Sequence, residues 1–247
     1  MPATSLYLRP DRNVVRGGSV ATSTGTTDSA YTDEWIADEI LGRPVKATNG
    51  TAGWTITFTS AAISGVAILN HNIDAARTIA ISGAVSGTTT GPAARPNGVP
   101  YNALWLGSSG TGTTLSVSVA SNTVALIIGE VAAGVFASFP GGGLLANELG
   151  GSNLRRGAGS GSRSVRAYDD GSASRSWRSS VLATQTELDD MMAWFESQKN
   201  GSLASLFVPD NTKNDVWAVE LLEPEWTYLG TRYRITLNMQ ELPRERW

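Results

Sequence analysis

One histidine, no cysteine and a few pairs of acids are the residues of this chain that could do chemistry. His71 sits in the polar break Asn70-His71-Asn72, between two short apolar runs. A catalytic triad or a zinc centre needs two or three converging partners, and no second histidine or cysteine exists to supply them. Asp74 is the only acid between Glu39 and Glu130. We therefore expect His71 to lie in a bend between two strands, without a catalytic or metal-binding role.

The remaining motifs that carry chemistry are also missing. The stretches GGSVATSTGTT and SGTTTGP do not match a phosphate-binding loop, and SSGTG is not the GxSxG nucleophile elbow. The acid pair Asp169-Asp170 precedes a glycine and predicts a turn, and Asp189-Asp190 falls on the polar side of a predicted helix. Loop carboxylates are the usual ligands of calcium, which stays the alternative there. We expect no enzyme, no cofactor and no metal centre.

Charge limits the classes of partner. The chain has 19 basic and 22 acidic residues and a formal net charge of -3, whereas nucleic-acid and anionic-membrane partners usually require a basic excess. An arginine-rich stretch could contact nucleic acid, but a subunit interface is the favoured interpretation because arginine is enriched at protein contacts. The first eighteen residues lack the apolar stretch of a signal peptide, so no export signal is expected. The stretch contains Arg155, Arg156, Arg163, Arg166, Arg175 and Arg178.

The pattern of residues 1–150 predicts an antiparallel β-sandwich. Short runs rich in β-branched and aromatic residues, such as GWTITF, GVAILN and TLSVSVA, are bounded by Gly, Pro, Asn or Ser. No amphipathic helix of useful length separates them, which disfavours a parallel sheet with crossover helices.

Residues 151–247 predict an α+β module, an antiparallel sheet packed on one helix. The helix is expected at about residues 184–199, because Thr184 and Glu187 form a capping box and an apolar stripe follows it. The Gly/Ser-rich stretch from Gly150 to Ser162 predicts an extended loop at the boundary. The stripe consists of Leu188, Met191, Met192 and Phe195.

The first half resembles the discoidin or galactose-binding type of β-sandwich that occurs in phage tail proteins. The segments that carry this resemblance are DEWIADEILGRPVKAT, GWTITFTSAAISGVAILNHNIDAARTIAISG and WLGSSGTGTTLSVSVASNTVALIIGEVAAG. In such domains one strand begins with an aromatic residue and the next ends near Asn-His-Asn. A late strand carries an Ile-Gly pattern, which the residues from Ile128 to Gly134 fit.

The second half resembles the tail-tube-like part of phage distal-tail and minor tail proteins. The segment SRSWRSSVLATQTELDDMMAWFESQKNGSLASLFVPD corresponds to a strand, a capped helix and a strand, and VWAVELLEPEWTYLGTRYRITLNMQELPR corresponds to the closing hairpin. In distal tail proteins the sandwich often follows this part, whereas here it comes first. That difference leaves the exact position in a tail open.

The resemblance implies a structural virion protein at a phage tail tip, made in the host cytoplasm. Such proteins form a ring, often a hexamer, or a connector between the tail tube and the hub or fibres. Its partners would be copies of itself and other tail proteins, with no membrane and no specific nucleic acid, although DNA passes through the lumen of such rings. Closed rings need two different contact surfaces on each copy, and the candidates are Arg155, Arg156, Arg232 and Arg234.

Two other classes of function stay open. The alternative is a carbohydrate-binding module that recognises a host-surface glycan through loops of the sandwich, with Asn97, Tyr101 and Asn102 as candidate contacts. The tryptophans that could be exposed for stacking on a sugar are Trp35, Trp226 and Trp247. A glycoside hydrolase with paired carboxylates is disfavoured, because acids are nearly absent between Ala47 and Gly129.

Overall fold

The computed structural model describes residues 4–38, 43–92, 102–140, 148–157, 166–199, 205–212 and 216–242. Two short 3₁₀ helices lie at Pro10–Arg12 and Asp33–Ala37, and α1 spans Gln185–Lys199. The strands are β1 (Leu6–Leu8), β2 (Ser19–Thr24), β3 (Val45–Lys46), β4 (Ala52–His71), β5 (Thr78–Gly83), β6 (Gly87–Thr90), β7 (Ala103–Val119), β8 (Ile127–Gly134), β9 (Ala137–Ser138), β10 (Glu148–Gly157), β11 (Arg166–Ala183), β12 (Ser205–Val208), β13 (Trp217–Leu221), β14 (Glu225–Tyr228) and β15 (Tyr233–Glu241).

The first sheet folds over itself into a sandwich. Its strands are ordered β3-β8-β4-β7-β5-β6, with β2 also pairing with β4, and all pairs are antiparallel. Pairing between β4 and β7 shifts register after Thr57 and again after Ile63. Trp54 from the first half of β4 and Ile68 from the second half lie in one core. The long strands therefore bend at the irregularities, and the predicted β-sandwich is confirmed.

The second sheet carries α1 on one face. Its strands are ordered β10-β11-β15-β13-β12-β1-β9, with β14 pairing with β15. Alternation along the strands turns Tyr7, Phe207 and Trp217 towards the helix. From α1 come Leu188, Met191, Trp194 and Phe195, all buried. The predicted antiparallel sheet on a single helix is therefore confirmed.

The opposite face of the second sheet packs on the first sheet. Leu8, Leu206 and Val208 share a core with residues of β4, β7 and β8. Alternate residues of β4 thus serve two cores, because Ile68 faces the interior of the sandwich and Leu69 faces the second sheet. The layers follow one another as helix, second sheet and sandwich.

The predicted boundary at residue 150 does not coincide with the division between the two sheets. β1 and β9 come from the first half of the chain but pair in the second sheet, where Tyr7 lies opposite Phe207 and Ala137. The division itself stays a prediction. The full chain is the appropriate object for experiments, since the two sheets share a core.

Two local predictions need correction or refinement. The stretch from Gly150 to Gly157 was predicted as loop, but it forms most of β10 because β11 offers a complete antiparallel partner; residues 158–162 lie outside the described part. His71 was predicted to lie in a bend, but it is the last residue of β4 and is buried, and the bend follows it. Its Nδ1 accepts a hydrogen bond of 3.1 Å from the Ile73 N–H, which holds the chain as it leaves the strand.

Candidate functional site

The 3₁₀ helix Asp33–Ala37 is fastened to the sandwich from within. Ile36 and Ala37 are buried in its core. The Asp33 carboxylate accepts hydrogen bonds from the Thr22 N–H at 2.9 Å and the Trp54 Nε1–H at 3.1 Å, and also from the hydroxyls of Thr22 and Thr27. Burial alone raises the pKa of Asp33, but these hydrogen bonds outweigh it and hold the pKa below the ordinary value of 3.8. The helix is therefore anchored by a stable negative charge.

This anchoring leaves two aromatic side chains at the surface. Tyr31 and Trp35 are half-buried, with ring centroids 5.9 Å apart and planes at 79°. The Arg43 guanidinium lies 5.8 Å from the Trp35 ring and the Lys46 ammonium 5.7 Å from the Tyr31 ring, within the range of cation–π attraction. We call these four residues, with Asp28 and Asp38, the Tyr31–Trp35 surface.

The acids of this surface stand close to its cations. The Asp38 carboxylate is 3.7 Å from Arg43, and the Asp28 carboxylate is 3.8 Å from Lys46. Both separations exceed a direct hydrogen bond, so the ion pairs can reorganise around a ligand at small cost. The surface combines aromatic rings with acceptors and donors. Such a set fits a ligand that has an apolar face and a hydroxylated edge.

The sequence alone does not predict this surface, although its residues lie close together along the chain. All six residues fall between positions 28 and 46. Trp35 is among the tryptophans that could be exposed for stacking, but the sequence alone does not connect it with Tyr31 or with the charged residues nearby. A count of aromatic and charged residues around the buried pair Ile36 and Ala37 would have indicated the surface.

The candidate glycan contacts from the sequence do not form a described site. Asn97 and Tyr101 lie outside the described residues. Asn102 is 2% exposed. Its Oδ1 accepts a hydrogen bond of 3.0 Å from the Asn70 N–H, and its Nδ2 donates one of 2.9 Å to the Val216 carbonyl. This side chain joins the two sheets and is not presented to solvent.

The candidate interface arginines lie in two places. Arg232 and Arg234 are exposed at the hairpin between β14 and β15. Arg155 and Arg156 lie on β10, opposite Tyr168 and Ala167 of β11, and their side chains are outside the described set. The structure does not bring the two pairs together through any described contact.

A second polar cluster clamps α1 to the N-terminal segment. Asp190 accepts hydrogen bonds from the Tyr7 hydroxyl, from Arg9 at 2.7 Å and from Arg12 at 3.1 Å. Arg9 also pairs with Asp11 at 2.7 Å. Burial, and then the Asp190 carboxylate, raise the pKa of Tyr7. Asp190 was predicted on a solvated helix face, but it is instead engaged in this clamp, and two cations neutralise it.

Two cavities accompany these elements. One of about 530 Å³ lies beside the clamp, between Tyr7, Pro140 and Met191. Another of about 740 Å³ lies between Thr4, Leu106 and Asn211, and its lining is uncharged. Phe136 is the aromatic residue in that lining and is only 8% exposed, which leaves little ring surface for stacking. Beside the first cavity, Tyr7, Arg12 and Asp190 are already bonded to one another in the clamp. The Tyr31–Trp35 surface is therefore the stronger candidate for ligand binding.

The described residues contain neither a cluster of metal-ligating side chains nor a helix that could span a membrane. Nowhere in that part of the chain do three or more histidine, aspartate or glutamate side chains gather in a way that could hold a metal ion. Among the described helices, none has the length and apolar character needed to span a membrane.

Comparison with known proteins gives similarities to part of the chain only. No protein-family model and no curated protein sequence matches it. A lectin-binding domain of lectinolysin complexed with Lewis b is 12% identical, covering 51% of this chain and 96% of that chain at a TM-score of 0.40. A chitosan-binding module from a Paenibacillus sp. IK-5 chitosanase/glucanase is 10% identical, covering 50% of this chain and 98% of that chain at a TM-score of 0.39.

A Streptococcus pneumoniae fucose-binding module is 15% identical, covering 51% of this chain and 98% of that chain at a TM-score of 0.39. Likeness at this level carries no argument about what this chain binds.

Proposed function

We propose that this chain is a non-catalytic binding protein whose Tyr31–Trp35 surface recognises a carbohydrate of a cell surface. The observation that carries the proposal is the pair of surface rings on an anchored 3₁₀ helix, with two cations and two carboxylates around them. A pyranose has an apolar C–H face that packs on an indole, and its hydroxyls accept from Arg43 and Lys46 or donate to Asp28 and Asp38.

The anchoring of the helix supports binding of this kind. Ile36 is fully buried beside Trp35, and the Asp33 carboxylate accepts four hydrogen bonds within the fold. The Trp35 backbone is therefore fixed before a ligand arrives, which reduces the entropy lost on binding. A surface built in this way can be tested by removing one ring without disturbing the core.

A glycan array with the full chain tests the proposal. We expect binding to a subset of glycans, and we expect Trp35→Ala to weaken it at least about tenfold, the loss of one aromatic stacking contact of roughly 1.5 kcal/mol or more. Leu182→Ala is the control, because Leu182 is 48% exposed on β11, outside the Tyr31–Trp35 surface. An array without binding, or equal binding by both variants, would reject the Tyr31–Trp35 surface.

A second candidate function is a structural subunit of a phage tail tip, as the sequence resemblance implies. The observation that favours it is a two-stranded arm. Residues 176–183 of β11 pair with β15, whereas residues 166–175 pair, among described strands, only with β10. At roughly 3.3 Å per residue, the ten residues 166–175 make this arm about 33 Å long. A two-stranded ribbon is marginal by itself, so a neighbouring subunit is the expected support.

The size of the particles formed by the purified chain tests this candidate. We expect closed rings in negative-stain images and a matching mass by light scattering. A variant that lacks residues 154–169 shortens the arm while leaving the pairing of β11 with β15 intact, and it should remain folded but fail to assemble. A strict monomer at high concentration, or rings that form without the arm, would contradict the assigned role of the arm.

A further inference from the structure

β14 is an exposed edge strand at the second sheet. Among the described strands it pairs only with β15, and all four of its residues are exposed. Trp226 is 52% exposed and Tyr228 is 57% exposed. An open edge that carries aromatic side chains is a ready template for another strand.

The hairpin geometry shows which backbone groups face the open edge. The Leu229 N–H donates to the Arg232 carbonyl at 2.8 Å, which makes this a hydrogen-bonded pair. Pairs alternate along an antiparallel ladder, so Thr227 with Arg234 is the next hydrogen-bonded pair. Trp226 and Tyr228 lie in the intervening pairs. Their N–H and carbonyl groups therefore point away from β15, towards the open edge.

We propose that β14 pairs with β14 of a second copy of this chain, antiparallel and centred on Thr227. In this register Trp226 lies opposite Tyr228 of the second copy, and the outward N–H and carbonyl groups of both residues form four hydrogen bonds across the twofold axis. A register shifted by one residue towards the start of β14 would place Pro224, which has no N–H, in a hydrogen-bonded position. With Thr227 at the centre, each outward N–H and carbonyl group of Trp226 and Tyr228 forms a hydrogen bond.

The side chains are complementary in the same register. Trp226 and Tyr228 lie on the α1 side of the sheet, since they pair with Ile235 and Tyr233. Trp226 and Tyr228 lie 5.7 Å and 5.1 Å from the Tyr233 ring. The second copy would extend this aromatic row, with Trp226 beside its Tyr228.

Charge selects a second copy as the occupant. Glu225 lies on the face opposite α1, as do Arg232 and Arg234, because alternate residues share a face. In the proposed register Glu225 lies opposite Leu229 of the second copy and in line with its Arg232, two strand spacings or about 10 Å away, which the long glutamate and arginine side chains can bridge. Symmetry repeats this contact, so Arg232, one of the interface candidates named from the sequence, faces an acid. This inference does not rest on glycan binding, which uses a different surface.

Disulfide trapping tests the register, and the chain has no native cysteine. Thr227→Cys places two thiols directly opposite each other in a non-hydrogen-bonded pair, about 4.5 Å apart between Cα atoms, which suits a disulfide. Glu225→Cys is the matched control on the same strand and face. Its two copies would lie four residues apart along the ladder, about 14 Å, which is too far.

We expect Thr227→Cys to give a covalent dimer at least tenfold faster than Glu225→Cys under mild oxidation. Equal rates, or no dimer from either variant, would overturn the proposal. Light scattering of Trp226→Pro provides a second measurement. Proline removes the outward N–H together with the indole and is tolerated on an edge strand, so this variant should stay folded as a monomer under conditions where the parent chain dimerises. Trp226→Ala, which removes the indole but keeps the N–H, should dimerise more strongly than the proline variant. A dimer of undiminished strength would contradict the pairing.

Discussion

Replacing Trp194 by alanine is expected to lower the free energy of unfolding by about 3–5 kcal/mol. Trp194 is fully buried at the centre of α1. Its ring stacks on Tyr7 at a centroid distance of 4.5 Å and meets Phe139 edge-on at 5.7 Å. Its Nε1–H donates to the Ser205 hydroxyl. Alanine would leave a cavity between helix and sheet and remove the donor to a buried hydroxyl, and both effects destabilise the fold.

Urea titration followed by far-ultraviolet circular dichroism measures this effect, because the signal does not depend on the tryptophan that is removed. Leu182→Ala truncates a side chain that is 48% exposed on β11 and should change stability by less than about 0.5 kcal/mol. If both variants lost the same small amount, α1 would not be held by Trp194, and the buried position of this residue would be wrong.

The helix could be predicted from the sequence because its signals are local. Thr184 and Glu187 form the capping box: the Thr184 N–H donates to the Glu187 carboxylate at 2.7 Å, and the Glu187 N–H donates to the Thr184 hydroxyl at 3.3 Å. The predicted stripe was nevertheless displaced. It included Met192, which is half-buried, and omitted Trp194, which is fully buried. Spacing gives the width of an apolar face, but the partner sheet decides its centre.

Most of what the sequence missed is non-local. β1 contains only three residues, and its partner β12 lies about two hundred residues later, so nothing near Leu6 indicates that pairing. The Gly/Ser-rich start of β10 has a low strand propensity, but a long facing strand overrides it. The double use of β4 has the same origin, since Ile68 and Leu69 are both apolar and only a second sheet explains why both are buried.

The Tyr31–Trp35 surface, in contrast, is formed by residues that are local in sequence. Which of these side chains reach the surface nevertheless depends on the side of the 3₁₀ helix that faces the sandwich. Asp33 decides this, because its carboxylate is held by Thr22 and Trp54 inside the sandwich. An acid in an aromatic and polar segment is usually interpreted as solvated. Here the acid is the anchor, and the neighbouring rings form the exposed part.

Replacing Asn102 by alanine is expected to lower the free energy of unfolding by about 2–6 kcal/mol, because it leaves two buried backbone groups without partners at roughly 1–3 kcal/mol each. These groups are the Asn70 N–H in the sandwich and the carbonyl of Val216, the residue that precedes β13 of the second sheet. Asn238→Ala, on the half-exposed polar side of β15, is the control and should cost less than about 0.5 kcal/mol. Urea titration of both variants measures the difference.

Asn102→Asp separates the hydrogen-bonding role from loss of volume. The aspartate keeps the size and the acceptor for Asn70, but at neutral pH it sets a carboxylate against the Val216 carbonyl, where the amide had donated. Burial disfavours the charged carboxylate, so the pKa of Asp at position 102 should be higher in the folded protein than in the unfolded chain. Lowering the pH should therefore stabilise the variant relative to the parent. The stability gap should narrow as the pH falls towards about 4.

A gap that stayed constant with pH would show that the Val216 contact contributes little, and a fully stable Asn102→Ala would remove this side chain as a link between the sheets. The same experiment bears on Asn102 as a glycan contact. Loss of binding by an unfolded variant says nothing about contact, so binding must be measured on variants that remain folded. If folded Asn102→Asp binds glycan like the parent while Trp35→Ala does not, recognition belongs to the Tyr31–Trp35 surface and Asn102 to the packing of the two sheets.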